Sequence, residues 1–374
     1  MKILYITTIP KERLPYNTPI YSRFIIFKKL GHDLLCMTQD ASLKEIISIN
    51  INNMETIIFP RFHKDKFKNF IYLAKNISKF NFDLYIARDY PALLIAYFLN
   101  GKIIYDSCET WLGYYTRKNL KNKLKFLETK IFEGIAIKKV SGIITHSPYS
   151  ANYLKKQYKL RQPIVTIPSI YTEPFIKNSE NILKKELSLN EEDKLVISHG
   201  GLNPNRGLEN LIKVFKYTPR NIKLVMMGNG ILKQKLEQMI AELGLKEKVY
   251  IIDEKPIGVY YRYVASADLG IDIRDVENLN YKLALPIRIV DDIICGIPVA
   301  VPWDMEVAKL INNFGLGIVF KSRVSIDIAK DIYSFLNDNS SYDSIVKNVD
   351  VFRKTEFSLS NQVKIMSNFL DCIL

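Results

Sequence analysis

The chain has 374 residues, 48% of them hydrophobic and 25% charged, with a formal net charge of +14. That is enough for about two or three domains with real cores, and it excludes a disordered or low-complexity polypeptide. No apolar run approaches the roughly 18–20 residues that span a bilayer, and the start, MKILYITTIP, is too short and too β-branched for a signal peptide.

Lys2 to Ile9 reads as a buried-type strand closed by Pro10, followed by a polar, Pro-punctuated loop to about Pro19. A helix is expected over Ile20 to Leu30, ending at Gly31, then strands in HDLLCMT and METIIFP. RFHKDKFKNFIYLAKNISKF reads as a basic helix with Phe62, Phe67, Phe70 and Leu73 on its apolar side. NFDLYIARD and KIIYDS are strands flanking the helix PALLIAYFLN. The second of them delivers Asp106, Ser107, Cys108 and Glu109 at its end. Strands alternating with helices predict a parallel, doubly wound sheet whose ligands sit at the carboxyl ends of strands, so the loops after Ile9 and Tyr105 should share a cleft.

Trp111 to about Lys139 is the most basic piece, with Tyr114, Tyr115, Leu120, Leu124 and Phe126 among its cations. It carries much of a marked asymmetry. Residues 1–170 hold 27 Lys and Arg against 12 Asp and Glu, while the remainder is nearly balanced. One face of one domain is therefore expected to meet an anionic surface, either nucleic acid or acidic lipid; a solvated basic helix is the plainer alternative. SGIITHS, a helix from Pro148 to Tyr158 and the strand PIVTIP complete the first half.

Composition turns acidic and Asn-rich from Ser169 to Asp193, which places a linker near Ser169 to Asn181. The alternation then restarts: KLVISHGG, GLENLIKVFKYT, NIKLVMMGNG, ILKQKLEQMIAELGL, KVYIID, PIGVYYRYVASA and DLGIDIR. NYKLALPIRIVDDIICGIPVAVP joins a Pro-started helix to the strand Val299 to Val301. A helix from Met305, the strand GLGIVF, the helix SIDIAKDIYSFLND and an amphipathic end from about Leu359 follow. The fold class is α/β, two doubly wound Rossmann-like domains in the GT-B arrangement with the active site in the cleft between them. The expected bounds are 1–170, 171–355 and a closing helix over 356–374.

In the second half, the turn SHGGLNPNRG follows a strand and precedes a helix. Its glycines would let backbone N–H groups approach an anion, and Arg206 can fork onto two phosphate oxygens. It lacks the G-x-G-x-x-G spacing and is no Walker loop; a tight strand–helix turn is the plainer reading. Gly228, Asn229 and Gly230 repeat the pattern one unit later. On the helix after Pro286, Ile287, Ile289, Val290, Ile293 and Ile294 fall on one face. Its N-terminus presents free N–H groups suited to phosphate, with Asp291 one turn further in. Convergence of these turns on one cleft predicts a nucleotide-diphosphate site. Cys36, Cys108, Cys295 and Cys372 have no metal-ligand spacing and fit free thiols in a reducing compartment.

HGGLNPNRGLENLIKVF, ASADLGIDI, NYKLALPIRIVDDIICGIPVAV and IIYDSCET together resemble the retaining GT-B glycosyltransferases of family 4, also called group 1 glycosyltransferases. The resemblance runs over nearly the whole chain and is strongest from Val196 to Val301. It implies transfer of a sugar from a nucleotide-sugar donor, a UDP-sugar by family weight, with retention, to a saccharide or lipid-linked acceptor in polysaccharide or lipopolysaccharide assembly. It implies Gly200, Gly201, Asn203, Arg206, Gly228, Asn229, Gly230, Asn280, Leu285, Pro286, Ile287, Arg288 and Asp291 as the donor side, with Asp291 on the ribose. Arg206, Arg288 and Glu109 are the catalytic candidates; Tyr16, Asp106, Cys108 and Glu109 are the acceptor-side candidates.

The sequence departs from the family in three places: Gly201 stands where an Arg is common, Asp291 replaces the usual Glu, and Cys108 replaces a common His. No cofactor and no metal are expected, since no D-x-D pair ends a strand and two arginines supply countercharge. A cytoplasmic protein held peripherally on the inner face of the membrane is expected, with no nucleic-acid partner. A noncatalytic GT-B partner subunit, a basic nucleic-acid-binding protein, and a GT-B epimerase or phosphorylase are the alternatives. No RRM, KH, helix-turn-helix or zinc pattern supports the nucleic-acid reading, and no Lys-anchored cofactor site supports phosphorylase.

Overall fold

A computed structural model describes residues 1–16, 18–51, 53–61, 65–115, 119–170 and 181–374. Among the described residues fourteen strands form two sheets. The first contains β1 (Lys2–Ile6), β2 (Asp33–Asp40), β3 (Ile47–Ile51), β4 (Met54–Pro60), β5 (Leu84–Arg88), β6 (Lys102–Ser107), β7 (Gly142–Thr145) and β8 (Ile164–Thr166), in the order β3-β4-β2-β1-β5-β6-β7-β8. All its neighbours pair parallel except β3, which pairs antiparallel with β4. The second contains β9 (Lys194–His199), β10 (Ile222–Met227), β11 (Val249–Ile252), β12 (Leu269–Ile271), β13 (Val299–Pro302) and β14 (Gly317–Phe320), in the parallel order β11-β10-β9-β12-β13-β14.

The strand interiors are continuous apolar runs because both faces of each sheet are covered by helices. Ile3, Leu4, Tyr5 and Ile6 of β1, and Leu195, Val196 and Ile197 of β9, are fully buried. Each sheet reverses its order beside its first strand, β1 or β9, the switch point where a doubly wound sheet opens a crevice at its strand ends.

The chain divides into two compact units, Met1–Tyr171 with Leu359–Leu374, and Thr172–Ser358. The last helix, Leu359–Ile373, thus belongs with the first sheet although it lies at the far end of the sequence. Leu359, Met366, Phe369 and Leu370 join the core around Ile3, Tyr5 and Ile144. The Phe369 ring lies so close over Gly142 of β7 that an added Cβ there would come within 2.6 Å of it.

Two elements were not among those expected. The short edge strand β3, Ile-Ser-Ile-Asn-Ile, alternates apolar and polar residues over only five positions and is mostly exposed. The helix Asn339–Thr355 is polar on most positions, is capped by Asp338 accepting from Ser341 N, and is anchored through buried Val349 and Phe352. The basic run after Trp111 is also not one helix: a 3₁₀ turn spans Trp111–Tyr114 and the α-helix is Leu120–Ala136. On the helix Lys66–Ile77, Leu73 is buried but Phe67 is exposed, whereas Phe62 lies outside the described residues. Among the described residues no helix is long and apolar enough to cross a membrane.

If the terminal helix is integral to the first unit, Phe369→Ala should remove about 3–5 kcal/mol of its stability, the usual loss for a buried aromatic. Urea denaturation monitored by circular dichroism checks this; a loss below about 1 kcal/mol, the scale of a surface change, would show that the helix only rests on the surface.

Candidate functional site

In the second unit, β9 and β10 both end in glycine turns that are laced together. Gly200 N donates to Met227 O at 2.9 Å and Leu202 N to Asn229 O at 2.9 Å. A Cβ on Gly228 would overlap the Gly200 carbonyl oxygen, and one on Gly230 the Leu202 carbonyl oxygen, so side chains are excluded there by the neighbouring loop. Gly207, at φ +70°, likewise lies against the Ile273 carbonyl. Gly201 differs: what a Cβ would meet is the amide end of Asn203, which can swing away. Asn203 and Asn229 are exposed at the rims of the two turns.

The helix Ile287–Ile294 starts after Pro286, whose carbonyl accepts from Ile289 N and Val290 N. This leaves the N–H groups of Ile287 and Arg288 without intrahelical partners. Leu285, Pro286 and Asn280 are buried beside this end. The helix is buried almost all round, Arg288, Asp291 and Asp292 included. Ile287, grouped with the apolar face by its spacing, is instead 38% exposed.

Arg288 lies under the first glycine turn, 3.9 Å from where a Gly200 Cβ would be, and donates through Nη1 to Ser198 Oγ at 3.2 Å. Its Nε is 3.6 Å from Asp272 Oδ2, a carboxylate already clasped by Nε and Nη2 of Arg274. Burial pushes Asp272 up, but Arg274 and Arg288 outweigh it and hold the carboxyl at about 2. Burial, with the charges of Arg274 and Arg206 against that of Asp272, draws Arg288 down to about 10. Two buried guanidiniums on one carboxylate leave net positive charge under the glycine turn, which suits an anion. Asp272 and Arg274 were not singled out from the sequence; the cue was a D-x-R pair at the end of the apolar strand DLGI.

Asp291 anchors a chain of buried hydrogen bonds. Its carboxylate accepts from Tyr260 Oη at 2.8 Å and Tyr261 Oη at 3.3 Å, Tyr260 Oη lies 2.6 Å from His199 Nδ1, and His199 Nε2 lies 2.9 Å from Asp292 Oδ1. Burial lifts the Asp291 carboxyl to about 6 in spite of His199 and the two phenols. Each Asp291 oxygen retains a second lone pair for a further donor. Nothing in the spacing of residues 199, 260 and 291 marks this network.

In the first unit the carboxyl ends of β1, β5, β6 and β7 lie side by side. Asp106, at 0% exposure, is bridged by Arg23 through Nε at 3.0 Å and Nη2 at 3.2 Å, and accepts from Tyr5 Oη at 2.7 Å. Burial raises the Asp106 carboxyl, but Arg23 outweighs it and holds it below the usual range. Cys108 is buried, with Sγ 3.7 Å from Asp106 Oδ1, and burial together with that carboxylate pushes the thiol well up. These two acceptor-side candidates therefore serve the interior, a correction to the expectation that they face a ligand. Glu109 is the partly exposed member of the loop. The side chain of Tyr16 lies outside the described residues.

The loop is held by Asp89, which the sequence reading passed over. Asp89 adopts φ +63°, and its Oδ1 accepts from Cys108 N at 3.0 Å and Glu109 N at 3.1 Å. A non-glycine residue in that region is strained and persists where surrounding bonds determine it. His146, after β7, lies near Glu109, and burial lowers its pKa so that the ring is neutral at pH 7. Among the described residues no cluster of three or more His, Cys, Asp or Glu is arranged to hold a metal ion.

Two such parallel α/β units, in this order along the chain, define a GT-B protein. Residues 179–351 match the family described as "Glycosyl transferases group 1". A curated Campylobacter jejuni protein, N-acetylgalactosamine-N,N'-diacetylbacillosaminyl-diphospho-undecaprenol 4-alpha-N-acetylgalactosaminyltransferase, is 26% identical over 48% of this chain and 47% of its own. The chain spans about half the length of the curated relatives it matches. Anabaena HepE, solved with UDP and glucose, superposes with a TM-score of 0.76 over 99% of both chains at 16% identity. WaaG, described as a glycosyltransferase involved in lipopolysaccharide biosynthesis, gives 0.70 over 97% of this chain and 98% of its own at 15%. At such identities the structural likeness is one of fold.

Asp89 gives a pH test. Burial, with the charges of Glu109 and Asp106 against Arg88, raises its carboxyl to about 7. Its unfolded value is about 3.9, so the folded protein binds more protons between those values and loses stability as pH rises through them. Asp272 acts in the opposite sense, and only as pH falls from about 4 towards 2. Asp89→Asn keeps both N–H bonds and tolerates positive φ, so it should flatten the fall in urea midpoint between pH 5 and 8; unchanged slopes would refute the assignment.

Proposed function

We propose that the chain is a glycosyltransferase that moves a sugar from a UDP-sugar to a lipid-linked saccharide of a cell-surface glycan, with retention at the anomeric carbon. The observation that carries this reading is the net positive charge of Arg288 and Arg274 beneath the Gly200 turn, at a helix N-terminus. A nucleoside diphosphate fits it: the N–H groups of Ile287 and Arg288 face one phosphate oxygen, with Arg288 and Arg206 on the two phosphates. Asp291, braced by Tyr260 and Tyr261, takes a ribose hydroxyl. The UDP bound by the HepE structure and the diphospho-undecaprenol in the Campylobacter relative's name support the donor and acceptor classes.

In the reaction, the bond from the anomeric carbon to the diphosphate oxygen breaks and its electron pair stays on the diphosphate. The acceptor hydroxyl oxygen bonds to that carbon, and its proton passes to the departing oxygen. The arginines and helix N–H groups stabilise charge that grows as the bond breaks, so they act more strongly on the transition state than on the bound donor. They supply the countercharge a divalent cation would give, so the reading requires no metal. Arg206→Ala and Arg288→Ala should each weaken transition-state stabilisation by about 2–4 kcal/mol, read as kcat/KM for UDP-sugar turnover in excess EDTA. Wild-type turnover in either variant, or no wild-type turnover until Mn²⁺ replaces EDTA, would sink this assignment.

Attachment is proposed at the cytoplasmic face of an anionic membrane, through the helix Leu120–Ala136. Leu120, Leu124, Leu127, Ile131 and Ile135 are 49–73% exposed. At 3.6 residues per turn they form one stripe within about a quarter of the helix circumference. Lys121 and Lys125 flank it on one side and Lys123 and Lys130 on the other. An apolar stripe between cations suits the headgroup boundary, with about 1 kcal/mol per cation near the surface. Lys118, in the same basic run, lies outside the described residues. Liposome flotation should need anionic lipid and should fall when Leu124, Leu127 and Ile131 are changed together to Ser. Equal flotation by wild type and variant, with or without anionic lipid, would remove the membrane claim alone.

A further inference from the structure

His199, at the end of β9, and Asp292, on the helix Ile287–Ile294, are both buried, with Nε2 2.9 Å from Oδ1. His199 Nδ1 is 2.6 Å from Tyr260 Oη on the helix Ile257–Ala265, and that oxygen is 2.8 Å from Asp291 Oδ2. These contacts form a row, and each needs one hydrogen, three in all. Two carboxylates, a neutral imidazole and a phenol bring only two. The row therefore holds one proton beyond that complement, and two carboxylate charges offset by one proton leave −1 wherever it rests. Without it, two lone pairs would face each other in one of the contacts and both carboxylate charges would stay buried, which is the costlier state.

The surroundings decide where the proton rests. Asp292 Oδ2 has no hydrogen-bond partner among the described residues and lies against the backbone of β12, where a Cβ on Gly270 would come within 2.1 Å of it. Besides His199, the charges facing Asp292 are Arg288 on its own helix and Asp272 at the end of β12. Asp291 is faced also by Tyr261, at 3.3 Å. Burial raises the Asp292 carboxyl against the charges of His199 and Arg288, and burial with Asp291 raises the Tyr260 phenol, which keeps its hydrogen. The Asp291 carboxyl, at about 6, is ionised at pH 7. The extra proton thus lies at the His199–Asp292 end, where His199 Nδ1 donates to Tyr260 Oη and Tyr260 donates to Asp291. We infer that Tyr260 is a positioning residue that couples ribose binding at Asp291 to the proton shared by His199 and Asp292, so that donor affinity falls when rising pH removes that proton. The inference rests on the donor reading for the place of Asp291 on the ribose. With the proton gone, the one hydrogen of Tyr260 has two acceptors, His199 Nδ1 and Asp291, and the carboxylate is no longer held in one direction.

The test measures binding of UDP and of pyrophosphate to the full chain by calorimetry at pH 7 and pH 8.5. Pyrophosphate lacks the ribose, so the ratio of the two affinities isolates the Asp291 contact. Ionisation of the ligands themselves is common to wild type and variants, so the comparison is between proteins. The wild-type ratio should fall about tenfold over this range, the loss of one charge-assisted hydrogen bond. Asp292→Asn presents an amide hydrogen to His199 Nε2 at every pH, so its ratio should hold where that of the wild type falls. Tyr260→Phe should lower the ratio about tenfold at pH 7 and remove its further dependence on pH. Where a variant does not fold, ¹⁵N-histidine spectra of the wild type read the proton directly. The chain has four histidines, and variants of His32, His63 and His146 assign the His199 signal by elimination. A hydrogen on His199 Nδ1 is expected at pH 7, with and without UDP. A bare Nδ1, a wild-type ratio constant to pH 8.5, or an equal fall in Asp292→Asn overturns the inference. The two readings fail separately. UDP binding with a bare Nδ1 removes this inference alone, and a hydrogen on Nδ1 with no UDP binding removes the donor reading.

Discussion

Charge buried at the carboxyl end of a parallel sheet costs several kcal/mol per ion unless it is paired and hydrogen-bonded, and both units place charge there. In the first, Arg23 closes on Asp106 with Tyr5 as a third partner, and every atom of the carboxylate is used internally. In the second, Arg274 and Arg288 share Asp272, so the pairing is incomplete by one positive charge. The first arrangement is closed and holds strands and helix together. The second leaves Arg288 directly beneath the glycine turn, which is why the proposed donor reading attaches to it.

Around each cluster lies a layer of groups that fixes loops rather than touching a ligand. Asp89 holds the backbone after β6 at the expense of a left-handed conformation, and its two N–H bonds set where Glu109 emerges. Tyr260 and Tyr261 do the same for the Asp291 carboxylate, with His199 and Asp292 behind Tyr260. Burial and satisfied bonds limit the rotamers of these side chains, so the position of a carboxylate one methylene shorter than the family's usual Glu is fixed by its neighbours. The glycines of the two turns in the second unit act in the same way. They allow the loops after β9 and β10 to touch, which fixes the backbone above Arg288.

The departures from the family pattern then acquire separate meanings. Cys108 is a buried, protonated thiol beside Asp106, so it fills the interior where a His would be expected. His146, neutral and adjacent to the same loop, is the imidazole of that region. Gly201 sits where a side chain could be accommodated by a swing of Asn203, so its lack of an Arg reflects no backbone demand.

The alternation of apolar strands with amphipathic helices and the glycine turns were legible in the sequence because each is written in local spacing. Arg206, Arg288 and Asp291 were singled out there through a Pro-started helix and a resemblance that runs along the chain, and the donor roles given to them are proposed. The antiparallel edge strand and the helix Asn339–Thr355 were not legible: the alternation of the strand lasts only five residues, and the apolar stripe of Tyr342, Ile345, Val346, Val349 and Phe352 is diluted by the polar residues that make up most of the helix. Only the tertiary structure decided that the last helix packs in the first unit and that Asp106 faces inward to Arg23 eighty-three residues earlier. These are pairings between distant positions, and no local propensity encodes them: which charge is neutralised and which apolar stripe stays exposed follow from how the layers close.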